Sequence, residues 1–134
     1  MKTVDLFAGC GGLSLGLQNA GFEVLHAYDN WEKSNEIYAQ NFNHPISKLD
    51  LSDVKKSVKE IKRHKPELIV GGPPCQDFSS AGKRDVTLGR ADLTYSFQDI
   101  ILEVKPRWFV MENVPLIKNS LILKNVINNL KDLY

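Results

Sequence analysis

Short apolar runs alternate with longer amphipathic stretches along the whole chain, which predicts a repeated strand–helix order. Val4-Asp5-Leu6-Phe7 reads as the first strand, followed by a glycine-rich turn and a helix from Leu13 to Asn19. Glu23 to Tyr28 is the second strand and Glu32 to Asn41 the second helix. A short third strand is expected over Ile46 to Leu49, then a charged helix that ends before Pro66. Glu67-Leu68-Ile69-Val70 and Arg107-Trp108-Phe109-Val110-Met111 are the next apolar runs. Between them lie a polar segment, Pro73 to Asp92, and a helix through Tyr95 to Val104. Leu123, Val126, Ile127 and Leu130 recur at i, i+3, i+4 and i+7, one face of a last helix.

The apolar runs are continuous rather than alternating, and each is followed by a helix. That pattern belongs to a parallel sheet covered on both faces. Pro66 and Pro106 stop helices directly before strands, because a proline disfavours helical backbone in the residue before it. The similar Lys65-Pro66 and Lys105-Pro106 junctions are two αβ connections, not a solenoid repeat. The expected fold is one α/β unit over residues 1–134, with a mostly parallel sheet and helices on both faces.

The 134 residues have room for one domain, and 43% hydrophobic with 25% charged residues is a globular balance. Lys and Arg number 17 against 16 Asp and Glu, so bulk charge announces no nucleic-acid partner. No apolar run approaches the roughly 20 residues that span a bilayer, and no secretory signal opens the chain. Cys10 and Cys75 are too few for a disulfide framework or a self-contained zinc site. A reducing, cytoplasmic setting is expected. His26, His44 and His64 have no metal-ligand spacing, and no metal is implied. The basic run Lys55, Lys56, Lys59, Lys62, Arg63 and Lys65 reads as a solvated helix face.

Candidate chemistry sits at the strand ends. In Asp5-Leu6-Phe7-Ala8-Gly9-Cys10-Gly11-Gly12-Leu13, a strand runs into a glycine turn that opens a helix. Glycine there lets backbone approach a ligand, and open α/β sheets bind ligands at this place. Gly9 and Gly11 fit the dinucleotide fingerprint, but Ser14 holds its third glycine position. Asp29 ends the second strand, where a carboxylate accepts from ribose hydroxyls, and Asp50 is placed similarly after the third, suited to an adenine amino group. These features fit a nucleoside cofactor without separating a nicotinamide dinucleotide from S-adenosylmethionine.

Val70-Gly71-Gly72-Pro73-Pro74-Cys75-Gln76-Asp77-Phe78-Ser79 is the most informative run. Two glycines and two prolines end a buried strand and stiffen its exit, so Cys75 is expected at the carboxyl edge of the sheet. Its thiolate is a potent nucleophile. Cys10 is expected to pack or to line the cofactor. Glu112 directly follows the later strand and should share the edge with Cys75, as an acid facing the same substrate.

Taken in order, these residues resemble the DNA cytosine-5 methyltransferase family over essentially the whole chain. Asp5 to Gly12 resembles its first cofactor motif, Gly72-Pro73-Pro74-Cys75-Gln76 its nucleophile motif, and Glu112-Asn113-Val114, about 35 residues on, its glutamate motif. Leu93-Thr94-Tyr95 matches a weaker motif, with Leu93 where the family often has glycine. The resemblance implies a Rossmann-like S-adenosylmethionine-dependent methyltransferase fold, incomplete at its C-terminal end. It implies that Cys75 adds to carbon 6 of a flipped cytosine while Glu112 holds ring nitrogen 3 and the exocyclic amine. It places S-adenosylmethionine on Phe7, Ala8, Gly9, Cys10, Gly11, Asp29, Asn30, Asp50, Leu51 and Pro73. Pro74, Gln76, Ser79, Lys83, Asn113 and Val114 are implied on the substrate side, with double-stranded DNA as partner in a bacterial restriction–modification setting. The segment from Phe78 to Arg90 is long enough to close over substrate.

The family's Gln-x-Arg-x-Arg motif, target-recognition region and closing motifs do not follow Asn113. The expectation is therefore a catalytic portion with little activity alone, from a fragment or from a split enzyme whose second polypeptide supplies recognition. Other readings are a non-catalytic fragment that binds S-adenosylmethionine or docks a subunit, an RNA cytosine methyltransferase, and a nicotinamide-dependent oxidoreductase.

Overall fold

The computed structural model describes residues 1–74 and 93–134. Its strands are β1 (Lys2–Leu6), β2 (Glu23–Asp29), β3 (Ile46–Lys48), β4 (Leu68–Gly71) and β5 (Trp108–Met111). The helices are α1 (Gly12–Asn19), α2 (Glu32–Asn41), α3 (Val54–Lys62), α4 (Leu93–Val104) and α5 (Leu121–Leu130), with a 3-10 turn over Pro115–Asn119. All strand pairs are parallel, in the order β3-β2-β1-β4-β5. The chain therefore winds outward from β1 to β3, then returns to build β4 and β5 on the other side. The order reverses between β1 and β4, and parallel sheets open a ligand crevice at such a reversal, at the carboxyl ends of the strands.

Central β1 is buried on both faces. Val4 and Leu6 join Ile69, Phe97, Ile100 and Ile101 in the main core, under α3, α4 and α5. Thr3 and Asp5 point to the other face, where Ala8, Ala27 and Tyr38 form a smaller cluster beneath α1 and α2. Over β5, Trp108 and Val110 on that second face are exposed, while Phe109 and Met111 pack against the main core.

Helix ends follow local chemistry. Asp53 caps α3 by accepting from Lys56 N–H at 3.0 Å, and Ser120 caps α5 from Leu123 N–H at 3.1 Å. Lys65 (φ 48°) and Lys105 (φ 56°) both take the left-handed conformation that turns the chain out of a helix, and the buried prolines Pro66 and Pro106 follow. The two Lys-Pro junctions are thus one structural device used twice. On α3 the lysines are exposed and Ser57 and Ile61 are buried, as the charge pattern predicts. On α5 the buried positions are Val126 and Leu130, and Ile127 is 56% exposed. The buried face of α5 is thus narrower than its periodicity predicts. The first strand also ends at Leu6 rather than Phe7, which adopts φ 56° and leaves the sheet.

Sequence spacing shows no histidine cluster, yet the fold makes one. His26 of β2 stacks on His64 beyond α3 with ring centroids 4.7 Å apart, while its Nε2 pairs with Ser47 Oγ at 2.8 Å. Burial, and then the neighbouring His64 and His44, push His26 down to about 4. The folded chain therefore binds fewer protons than the unfolded chain between pH 6.5 and about 4, so His26 withdraws stability as pH falls through that window. A His26→Gln variant should gain on its parent over the same window. At this half-buried, solvent-screened site the gain should be about 1–2 kcal/mol. Melting temperatures of both proteins between pH 7 and 4 would read it.

Candidate active site

The loop from β1 to α1 must turn sharply under the sheet edge. It does so with Phe7 at φ 56°, Gly9 at φ 53° and Gly11 at φ 98°. Ala8 N–H donates to Tyr28 O at 3.2 Å and Gly11 N–H to Ala8 O at 2.9 Å. Gly11 admits no side chain, because a Cβ there would lie 2.2 Å from Phe42 and 3.0 Å from Tyr38. The loop is tied to β2 by Asp29, whose Oδ2 accepts from Gly9 N–H at 2.9 Å and whose Oδ1 accepts from Trp31 N–H at 2.8 Å. The carboxylate expected to meet a ribose thus also shapes the loop beneath it. Two carboxylate oxygens offer about four acceptor sites, so capacity for a ligand remains.

A cavity of about 510 Å³ opens at the crevice between β1 and β4. Phe7, Trp31, Leu49, Leu51 and Leu93 give it apolar walls, and Asp29, Asn30 and Asp50 give it polar ones. Asp50 accepts from Ser52 N–H at 3.0 Å and Ser52 Oγ–H at 2.6 Å, and these two bonds hold its carboxyl below the usual range. It presents a fixed negative charge to the cavity mouth.

Gly72 and Pro74 complete the lining. A Cβ on Gly72 would stand 3.2 Å from Glu112 Oε2. Glu112 is placed by the continuing β4–β5 ladder, its N–H donating to Gly71 O at 2.9 Å. Asn113 then ties the exit of β5 to that of β4: its Nδ2 donates to Pro73 O at 2.8 Å, and its Oδ1 accepts from Val114 N–H at 2.8 Å. Pro73 is buried, whereas Pro74, Glu112 and Val114 are exposed.

Of the residues expected at a cofactor, Phe7, Asp29, Asn30, Asp50 and Leu51 line the cavity. Ala8, Gly9, Cys10, Gly11 and Pro73 are not part of its lining; Ala8, Gly11 and Pro73 are buried, Gly9 is half-buried and Cys10 is exposed. Pro74, expected on the substrate side, is part of the wall. Cys75, Gln76, Ser79 and Lys83 lie outside the described residues. Trp31 and Leu49 also line the cavity although they belong to none of the motifs, and Gly72 and Leu93, which do belong to them, line it as well. The signal for Trp31 was a large aromatic directly after a strand-end acid, and it is 64% exposed at the cavity mouth. Asn113→Ala removes one hydrogen bond that joins the two strand exits, a change of about 1 kcal/mol. In a complete enzyme that carries these residues, we expect a roughly fivefold drop in turnover with cofactor affinity unchanged, since Asn113 is not in the cavity wall. Single-turnover kinetics with a parallel binding titration would measure both.

Comparison with known proteins fits this geometry. The family described as C-5 cytosine-specific DNA methylase matches residues 1–134. Type II methyltransferase M.HindV of Haemophilus influenzae is 62% identical over 98% of this chain, which spans 43% of that protein's length. Type II methyltransferase M.HgiGI of Herpetosiphon aurantiacus is 60% identical over 85% of this chain and 90% of its own length. The crystal structure of S. pombe Dnmt2 methyltransferase matches with TM-score 0.80 and 21% identity, over 98% of this chain and 40% of that one, a likeness of fold. With the family matched from end to end and the sheet and strand-end motifs in agreement, this chain belongs to the C-5 cytosine-specific DNA methylases.

Proposed function

We propose that residues 1–134 are the catalytic portion of a DNA (cytosine-5-)-methyltransferase that uses S-adenosylmethionine, in a bacterial restriction–modification setting. The observation that carries the reading is proximity at Gly72: it lines the nucleoside-sized cavity, and a Cβ placed on it would stand 3.2 Å from Glu112 Oε2. A methyl donor in the cavity and a base held by Glu112 would then be neighbours.

The donor set suits this cofactor. A purine ring fits between apolar walls such as Phe7 and Leu51, and Asp29, Asn30 and Asp50 accept from hydroxyl and amino groups. The two carboxylates also favour a cation, and S-adenosylmethionine supplies a methyl group activated by a positively charged sulfur. On the substrate side, the Cys75 thiolate adds to carbon 6 of the flipped cytosine and pushes electron density to carbon 5. Glu112 holds ring nitrogen 3 and the exocyclic amine, stabilising the charge that develops on the ring. Once carbon 5 has gained its methyl group, loss of its proton and departure of Cys75 restore the aromatic ring.

The test has two parts. Trp31 is one of two tryptophans, so a Trp108→Phe background isolates its emission. Titration with S-adenosylmethionine should then shift that emission saturably. In a complete enzyme that carries these residues, labelled methyl should appear on carbon 5 of cytosine in double-stranded DNA. Label on another base, or on RNA alone, overturns the proposal.

A further inference from the structure

Ser14 stands where the dinucleotide fingerprint has its third glycine, and it is fully buried. Glycine at that position permits close helix–strand packing. Here a side chain occupies the space and is fully engaged. Ser14 Oγ–H donates to Asp5 Oδ2 at 2.7 Å, and Tyr38 O–H donates to Ser14 Oγ at 2.6 Å. With its proton given to Ser14, the Tyr38 oxygen is left to accept from His44 Nε2. His44 Nδ1 then accepts from Gln18 Nε2 at 3.4 Å. Every donor in the series points the same way, from the surface at Gln18 to the buried carboxyl of Asp5. A chain of this kind is reinforced by mutual polarisation.

The chain encloses the glycine loop. Asp5 lies on β1 before it and Ser14 in the first turn of α1 after it. Tyr38, which joins the chain from α2, is with Phe42 one of the two rings that a Cβ on Gly11 would meet. We infer that Asp5, Ser14, Tyr38 and His44 form a buried latch that holds the Phe7–Gly12 loop in its receiving shape, with Asp5 and Ser14 as positioning residues for the cofactor. The inference rests on the reading of the adjoining cavity as an S-adenosylmethionine site.

Asp5 has an unusual state for a carboxyl. It is completely buried, and its Oδ1 has no hydrogen-bond partner among the described residues. Ser14 faces it from α1, Tyr38 lies beyond Ser14, and Asp29 at the end of β2 adds a like charge. The β4 residue beside it is apolar Val70. Burial, against the lowering effect of Ser14, pushes Asp5 up to about 7. The folded chain therefore holds a proton there between about 3.8 and 7, and this group withdraws stability as pH rises through that window. His26, His44 and His64, all pushed down by burial, act in the opposite sense below 6.5. A comparison of Asp5→Asn with its parent isolates the aspartate.

Three variants test the latch. Ser14→Ala and Tyr38→Phe keep the packing and cut the chain. Each should speed amide exchange at Gly9, Gly11 and Gly12 at least tenfold in the ligand-free protein, and weaken binding of S-adenosylhomocysteine about tenfold. For Asp5→Asn, the unfolding constant of the parent relative to the variant should climb toward tenfold per pH unit between pH 4.5 and 7. Unchanged loop exchange and unchanged affinity in both chain-cutting variants would overturn the latch. A pH-independent stability difference between Asp5→Asn and its parent would overturn the proton on Asp5. If the parent binds no S-adenosylhomocysteine, the cofactor reading fails, and loop exchange still decides the latch.

Discussion

Cys75→Ala, placed in a complete enzyme, should lower methyl transfer by at least about 10⁴-fold, or about 5.5 kcal/mol of transition-state stabilisation. Carbon 5 of cytosine is a poor nucleophile while the ring is aromatic. Addition of a thiolate at carbon 6 converts it into an enamine-like carbon, and a methyl side chain offers no such route. Binding of S-adenosylmethionine should survive the change within about twofold. Phe7, Trp31, Asp29, Asn30, Asp50 and Leu51 line the cavity from the carboxyl ends of β1, β2 and β3 and the residues just after them. Transfer of labelled methyl to DNA and a fluorescence titration at Trp31 separate the two effects. Turnover that persists in the variant would remove Cys75 from the reaction.

Gly11→Ala should cost about 3 kcal/mol, through a left-handed backbone and a steric clash that act together. At φ 98° an L side chain is strained, and the added Cβ would stand 2.2 Å from Phe42 Cε2. Phe42 cannot move freely, because its ring lies 4.3 Å from that of Tyr38 and 5.2 Å from that of His44. The melting temperature should fall by about 10 °C. Affinity for S-adenosylmethionine should fall with it, since the displaced loop carries Phe7. Gly16→Ala is the control. It lies inside α1, has ordinary helical backbone and no atom within 4 Å of its Cβ position, and should stabilise by up to about 1 kcal/mol. A Gly11→Ala melt matching the parent would mean that the loop tolerates what this packing forbids.

Much of this architecture could be read from residue order. Apolar runs bounded by Pro66 and Pro106, and the glycines from Gly9 to Gly12, are local signals, so strands, helices and the glycine turn were legible. Glu112 at a strand end was legible for the same reason. The partners of those residues were not. Asp29 as the tie of Gly9, Asn113 as the link to Pro73, and the stack of His26 on His64 join positions 20 to 40 residues apart. No periodicity encodes such pairs.

By itself the sequence determined the parallel α/β class, the family and the strand ends at which chemistry is placed, because short-range hydrophobic pattern and backbone restriction act within a few residues. Only the tertiary structure decided the strand order β3-β2-β1-β4-β5, the crevice at its reversal and the nearness of Glu112 to Gly72 in the cavity lining. It also decided that Ser14, a mismatch in the glycine fingerprint, would close on Asp5. The reason is that sheet order brings together residues far apart in the chain, and burial then changes what each side chain can bind.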